Sequence, residues 1–313
     1  MTLTGNAFAF PWEVSLMEWL QSVLPQGAIS VISFFSAFGE TIFLFLLFGF
    51  LYWSLDKRMA KKIGLSVLMG TCWGLMIKNV VLRRRPYFDH PEIKLHRPVD
   101  DSADIYDISA QGYSFPSSHS SNAVSAYGAL AAEVKTKWAA WLCVLLPLLV
   151  GFSRVVVGAH YPTDVLAGWA LGWLSVLIVS ALQKKIQSTE KLYLLLLATV
   201  LPGFFFCKSA DFFSAAGLLI GFLAGTLLEE KKVKFENTRE PLRMVLRVVG
   251  GLVVFLLLNT LLKLPFSQEF MDSGSYASLL VRCARYAVIA FAEFSLYPML
   301  FKLTARIGRG KQK

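Results

Sequence analysis

Long apolar blocks separated by short charged stretches recur along the chain, as at 192–207 and 251–262. A bilayer core about 30 Å thick takes roughly 20 mostly apolar residues per helix. Only helices and closed barrels span lipid, and these blocks are too long and continuous for barrel strands. The pattern predicts an all-α, polytopic integral membrane helical bundle of about nine transmembrane helices, near 29–54, 63–83, 117–134, 138–157, 163–182, 191–207, 211–228, 243–263 and 278–303. Ahead of them, residues 13–24 are amphipathic and too short to span, and read as an interfacial helix with Trp12 and Trp19 near the headgroups. The expected organisation is an N-terminal interfacial segment (1–28), a core (29–185) and a C-terminal extension of about four spans (186–313).

Composition sharpens this picture. Hydrophobic residues make up 55% of the 313, against roughly 45–50% apolar residues in soluble domains. The net charge of +10 would suit a nucleic-acid partner, but the cations sit in short loops between apolar blocks. That distribution is the positive-inside pattern and points to no nucleic acid. Lys57, Arg58, Lys61 and Lys62 follow the first span, Lys135 and Lys137 the third, and Lys184, Lys185 and Lys191 the fifth. Lys231, Lys232, Lys234, Arg239 and Arg243 follow the seventh, and Lys302, Arg306, Arg309, Lys311 and Lys313 the ninth. Every odd span ends in a basic loop, so the N-terminus is expected outside and the C-terminus in the cytoplasm, with the tail touching anionic lipid. The first residues lack the basic stretch of a cleavable signal, so insertion is expected to rely on the first span. Cys72, Cys143, Cys207 and Cys283 lie in or beside apolar blocks without CxxC spacing and read as packing residues.

One loop breaks the charge rule: Arg83, Arg84, Arg85, Lys94 and Arg97 follow the second span on the outer side. Either a helix is miscounted or these cations serve an anionic substrate. Three stretches on that face favour the second alternative. In the first, Lys78 and Arg85 are seven residues apart, nearly two helical turns, so both are expected on one helix face until Pro86 ends the helix. Lys78 alone reads equally as a snorkelling lysine; the pair reads as a phosphate clamp. In the second, Pro116-Ser117-Ser118-His119 is a helix start whose free N–H groups and dipole favour an anion, with His119 in the first turn. A capped helix with an interfacial histidine has the same pattern. In the third, Ser153-Arg154 is followed by His160 and Asp164, four residues apart, so that the carboxylate can take one imidazole N–H and leave the other nitrogen free to attack. Only four histidines exist, and two of them fall in these stretches. Cations, a helix N-terminus, an oriented histidine and a second histidine are the needs of phosphoryl transfer.

The order Lys78-x6-Arg85-Pro86, Pro116-Ser117-Ser118-His119 and Ser153-Arg154-x5-His160-x3-Asp164 resembles the three motifs of the type 2 phosphatidic acid phosphatase superfamily, over roughly residues 63–183. The resemblance implies His160 as nucleophile, Asp164 as its partner, and His119 as acid and then base. It implies Lys78, Arg85, Ser117, Ser118 and Arg154 around the phosphate, with no metal and no cofactor. Ser118 departs from the family's usual glycine; in a first helical turn it is expected without strain. Sphingosine-phosphate phosphatases are similar in carrying a small hydroxyl residue there and in having extra helices. The expected function is therefore hydrolysis of a lipid phosphate, a phosphomonoester or a prenyl diphosphate, through a phospho-histidine at the non-cytoplasmic face, in a bacterial inner membrane.

Two alternatives stand beside it. Glucose-6-phosphatases are similar in motifs and helix number and act on a soluble sugar phosphate. A lipid transporter with a phosphate-binding pocket would account for Arg282, Arg285 and Glu293 in the spans without needing the His160–Asp164 spacing. Glu40, Asn259, Arg282, Arg285 and Glu293 are otherwise read as interhelical hydrogen-bonding residues. Asp89, His90, Glu92, His96, Asp100, Asp101, Asp104 and Asp107 crowd the loop after Arg85 without metal-ligand spacing, and read as solvated residues, some pairing with the arginines.

Overall fold

The computed structural model describes residues 4–301. Among these residues the regular structure is helical, apart from one isolated parallel bridge between Asn6 and Arg83. Six helices among the described residues are long and apolar enough to cross a membrane: Lys57–Val81, Lys137–Val156, Pro162–Lys185, Thr189–Phe206, Ala210–Val233 and Pro241–Leu261. The pair Pro11–Val23 and Gln26–Gly39, bent by 115°, makes a seventh if it is one broken span. The protein is an all-helical, multi-pass integral membrane protein. The other expected spans are shorter or more charged. The segment 29–54 is broken at Glu40, whose extended backbone (φ −78°, ψ 149°) separates Gln26–Gly39 from the shorter apolar helix Thr41–Leu55. The segment after Ser117 is helical over 118–131, with a π-helical turn at Val124–Gly128. The final helix Tyr276–Phe291, continued by a π-helical turn to Leu296, carries Arg282, Arg285 and Glu293. The basic tail from Lys302 to Lys313 lies outside the described residues.

The chain forms two compact units, one of residues up to Leu44 with Trp73–Val179, the other of Phe45–Cys72 with the chain from Ser180 on. In the first unit the N-terminal helix Pro11–Val23 is amphipathic as expected, but its inner face is a structural support. Trp12 and Trp19 are exposed, whereas Glu13 and Met17, one turn apart, are fully buried. Met17 packs with Ile93, Val155, Tyr161 and Val165, a burial of the kind worth about 1.5–3 kcal/mol per apolar side chain. One turn further, Gln21 bonds Lys94 O at 2.8 Å and Val156 O at 3.0 Å, and its own oxygen accepts from Lys94 N. The helix that begins at Ser118 lies against Pro162–Lys185 because Gly168 and Gly172 leave room: a Cβ on either would stand 2.5 Å from Ser117 O or 2.6 Å from Ser121 O.

In the second unit Ala210–Val233 packs on Tyr276–Phe291 through small residues at four-residue spacing. A Cβ on Gly217 would stand 2.2 Å from Cys283 O, and one on Gly221 2.1 Å from Ala287 O. Such a stripe lets membrane helices approach backbone to backbone. Arg285 meets Asn259 across helices, as expected for polar groups in spans. Glu293 is buried, and neither of its carboxylate oxygens has a hydrogen-bond partner among the described residues. The four cysteines are free and buried.

Candidate active site

The first motif folds differently from the single-face expectation. Its helix ends at Val81, four residues before Arg85. Leu82 turns the chain with a left-handed φ of 53°, and Arg83 is bridged to Asn6. Asn6 N donates to Leu82 O at 2.7 Å, and Arg84 N to Asn6 O at 2.9 Å. Arg85 is extended (φ −74°, ψ 156°), the conformation favoured before proline. Lys78 and Arg85 are therefore not on one helix face. Both are nevertheless drawn inward by carbonyl groups, those of the segment leading to the second motif and, for Arg85, also one of the third. Lys78 Nζ donates to Tyr113 O at 2.6 Å and Pro116 O at 3.0 Å. Arg85 donates to Gln111 O, Gly112 O and Ala159 O at 2.7–3.0 Å.

His160 follows Gly158, whose φ of 77° turns the chain between Val156 and Pro162 and whose missing Cβ admits Lys94 O. The imidazole is 2% exposed. Its Nε2 lies 3.4 Å from Arg85 Nη1. On the other side Nδ1 is 3.6 Å from Asp164 Oδ2 and 3.4 Å from Ser114 Oγ. Ser114 in turn donates to Asp164 Oδ2, which also accepts from Tyr161 N at 2.8 Å. The carboxylate thus faces His160 beside the Ser114 hydroxyl, at a distance longer than a direct hydrogen bond.

Asp164 Oδ1 is held from behind by Arg83 Nη1 at 2.8 Å. Arg83 is itself fully buried, its Nη2 on Glu13 Oε2 at 2.7 Å and its guanidinium stacked 3.9 Å from the Tyr161 ring centroid. Glu13 also takes Thr163 N and Thr163 Oγ1, at 3.0 and 2.6 Å. Three of the loop cations are held by carboxylates of the protein, and the Arg84–Asp89 pair follows the expectation that some acids of this loop pair with the arginines. Arg83 is a structural ion, Arg84 pairs with Asp89, and Arg97 pairs with Glu40.

In the second motif Ser117 is the N-cap, accepting from Ser120 N at 3.4 Å and Ser120 Oγ at 3.0 Å, which leaves its hydroxyl proton to give. Ser118 opens the helix with negative φ, as anticipated for a serine in place of glycine. Ser118 and His119 line a cavity of about 200 Å³ together with Arg154, Asn122, Glu40 and Arg97. Arg154 is 1% exposed. Its Nη1 reaches Ser36 Oγ at 3.2 Å, but Nε and Nη2 have no hydrogen-bond partner among the described residues. A buried charged donor left unmet is costly, and a bound oxyanion is the group that would meet it. Arg154, His160, Arg85 and Arg97 all lie close enough to act electrostatically on His119.

Burial drives the His160 imidazole well below its ordinary range, and Arg85, Lys78 and Arg154 push it the same way. It is neutral at physiological pH, with a lone pair to offer. Ser114, Glu13 and Ser36 have no motif to announce them, because each reaches the site through contacts distant in sequence. Among the described residues no three His, Cys, Asp or Glu side chains converge as metal ligands.

The site thus joins a buried guanidinium with unmet donors to two histidines in an all-helical membrane protein. Residues 59–188 match the PAP2 superfamily, and residues 213–308 match the transmembrane extension of PAP2 superfamily phosphatases. The decaprenylphosphoryl-5-phosphoribose phosphatase of Mycobacterium tuberculosis is 30% identical over 165 residues, 51% of this chain and 84% of that protein. The chain belongs to the PAP2 superfamily. An undecaprenyl-diphosphatase of Sulfolobus acidocaldarius is 32% identical over 130 residues, covering 39% of this chain and 56% of that protein. Phosphatidylglycerophosphatase B of Bacillus subtilis is 34% identical over 89 residues, covering 26% and 44%. The chain thus spans about half the length of these two relatives. No solved structure matches it.

Proposed function

We propose that the protein is a membrane phosphatase that hydrolyses a lipid phosphate, a phosphomonoester or a prenyl diphosphate, through a phospho-histidine on His160. The observation that carries this reading is Arg154. Its buried, unmet Nε and Nη2 face the need for an oxyanion in the cavity that His119 lines, and its carbonyl accepts the His160 amide at 3.2 Å. The names of the similar proteins, all lipid phosphatases, support the same class.

In this mechanism Arg154, Arg85, Lys78, the Ser117 hydroxyl and the Ser118 amide hold the phosphate oxygens. The neutral His160 attacks phosphorus with the ring nitrogen remote from Ser114 and Asp164. A P–N bond forms as the P–O bond to the leaving alcohol or phosphate breaks, and His119 gives that oxygen a proton. Asp164 steadies the imidazolium that results. Water then attacks phosphorus, His119 takes its proton, the P–N bond breaks, and inorganic phosphate leaves. No step calls on a metal. The segment 29–185 is the catalytic core and 186–313 the extension, with the site on the non-cytoplasmic face of a bacterial inner membrane, the N-terminus outside and the C-terminus in the cytoplasm.

The test is phosphate release by the purified protein in detergent with EDTA. The panel is phosphatidic acid, sphingosine phosphate, phosphatidylglycerophosphate, undecaprenyl diphosphate and glucose 6-phosphate. Release should persist in EDTA and fall to background in His160→Ala, and acid-labile phosphoprotein should be trapped on rapid quenching of the wild type but not of His160→Ala. A folded His160→Ala protein with full activity would overturn the mechanism, and activity confined to glucose 6-phosphate would overturn the lipid substrate.

A further inference from the structure

Sequence reading treats residues 29–54 as one span, yet the break inside it builds a fourth wall of the site. The turn Phe35–Gly39 and its flanks present Ser36 Oγ to Arg154 and Ser33 O to Arg97, the latter at 2.7 Å. Gly39 lies directly on the second motif: a Cβ there would stand 2.8 Å from His119 O. The next residue, Glu40, opens onto the same cavity as His119 and Arg154 and accepts from Arg97 Nη2. The cavity therefore holds two guanidiniums in different states. Arg154 has unmet donors. Arg97 has both terminal nitrogens engaged, one on a carbonyl and one on a carboxylate. A carboxylate accepts about four hydrogen bonds, so Glu40 keeps acceptor capacity after Arg97 has taken its share.

A carboxylate beside a phosphate site repels a second phosphate and attracts a hydrogen-bond donor. The volume of about 200 Å³ is below the roughly 300–1,000 Å³ that encloses a drug-sized ligand. It seats a phosphate and the few polar atoms next to it, and leaves the hydrocarbon outside. We propose that Glu40, braced by Arg97, reads the headgroup by accepting a hydrogen bond from a hydroxyl or ammonium group next to the scissile phosphate. The substrate class is then a phosphomonoester of a hydroxyl- or amine-bearing lipid, and not a prenyl diphosphate. This rests on the phosphatase reading above.

The experiment compares kcat/KM of the full-length protein in detergent for three probes. They are 1-O-hexadecylglycerol 3-phosphate, which has a free 2-hydroxyl; its 2-O-methyl ether, which lacks that donor; and farnesyl diphosphate. The wild type should favour the hydroxyl compound over the ether by about tenfold or more, the scale of a hydrogen bond to a charged acceptor, and should use farnesyl diphosphate least. Glu40→Ala should bring the hydroxyl-to-ether ratio close to one and raise farnesyl diphosphate relative to the monoester. Arg97→Gln, which leaves the carboxylate uncompensated, should act in the opposite direction and lower farnesyl diphosphate use below that of the wild type. If Glu40→Ala does not fold, Glu40→Gln keeps the shape and should still reduce the ratio. Equal use of hydroxyl compound and ether by the wild type, a preference for farnesyl diphosphate, or an unchanged ratio in a folded Glu40 variant each overturns the assignment while leaving the phosphatase reading intact. Failure of the folded wild type to cleave any probe overturns both.

Discussion

Arg83 holds Asp164 from behind, Nη1 to Oδ1 at 2.8 Å, with neither side chain exposed to solvent. The carboxylate facing His160 is thus pinned by a cation at one of the unspecified positions inside the first motif. The Arg83 charge is balanced in turn by Glu13 from the N-terminal helix. Breaking a buried pair by removing one partner typically costs about 3–5 kcal/mol, because the other charge is stranded. Arg83→Met should destabilise the protein by that order and Glu13→Gln by less, measured by thermal unfolding in detergent. The double variant should be less destabilised than the sum of the two, since the residues share one network.

Ser114 touches both Asp164 and the His160 ring, and its removal tests the route between them. Ser114→Ala should lower kcat by roughly tenfold with little change in KM, because one charge-assisted hydrogen bond that orients the imidazole is lost while the phosphate contacts stay. The check is steady-state kinetics on whichever lipid phosphate is cleaved best. A KM effect alone would assign Ser114 to binding.

The depressed His160 has a consequence for stability. On unfolding, the imidazole regains its ordinary pKa of about 6.5. Below that pH the unfolded chain binds a proton that the folded one refuses, so folding weakens as the pH falls, by up to about 1.4 kcal/mol per pH unit for one proton. The unliganded protein should lose melting temperature between pH 7.5 and 5.5, and His160→Asn should remove part of that slope. Orthovanadate, by placing an anion beside the ring, should flatten the slope in the wild type and not in the variant.

The helix contact in the second unit is equally open to test. Gly221→Leu puts a side chain where even a Cβ would stand 2.1 Å from the Ala287 carbonyl oxygen. Overpacking of this kind costs about 1–3 kcal/mol or more. Earlier thermal unfolding or faster proteolysis between 210 and 296 is expected, whereas an unchanged melting profile would show that the two helices part readily.

Much of this was legible in the sequence, for identifiable reasons. Helical membrane blocks announce themselves by length and hydropathy, and the N-terminal helix Pro11–Val23 by its amphipathic pattern. Gly158 and Pro162 marked a turn between two helices, and the structure has one. What could not be read were tertiary choices. Nothing local distinguishes Arg83 from Arg84 and Arg85, yet one is a buried ion, one sits in a half-buried pair with Asp89 and one faces His160. The helix was expected to reach Arg85 because Pro86 is the evident breaker; it stops at Val81, where Asn6 captures the Val81 and Leu82 carbonyls. The break at Glu40 was hidden for a similar reason. Its neighbours are as apolar as any span, and only Arg97 and Gly39's approach to His119 fix the residue at the site.

The link from Glu13 to Arg83 and Thr163 also sets an order of assembly. Glu13 meets Arg83 across 70 positions and Thr163 across 150. Until the chain has been made beyond Asp164, the Arg83 guanidinium has no Asp164 to hold, and Glu13 has only part of its final set of donors. The centre is therefore closed by the last of its segments to emerge rather than by the first. A nascent chain stalled before His160 would carry Lys78, Arg85 and the helix start at Ser118 without the imidazole that Arg85 and Ser114 face.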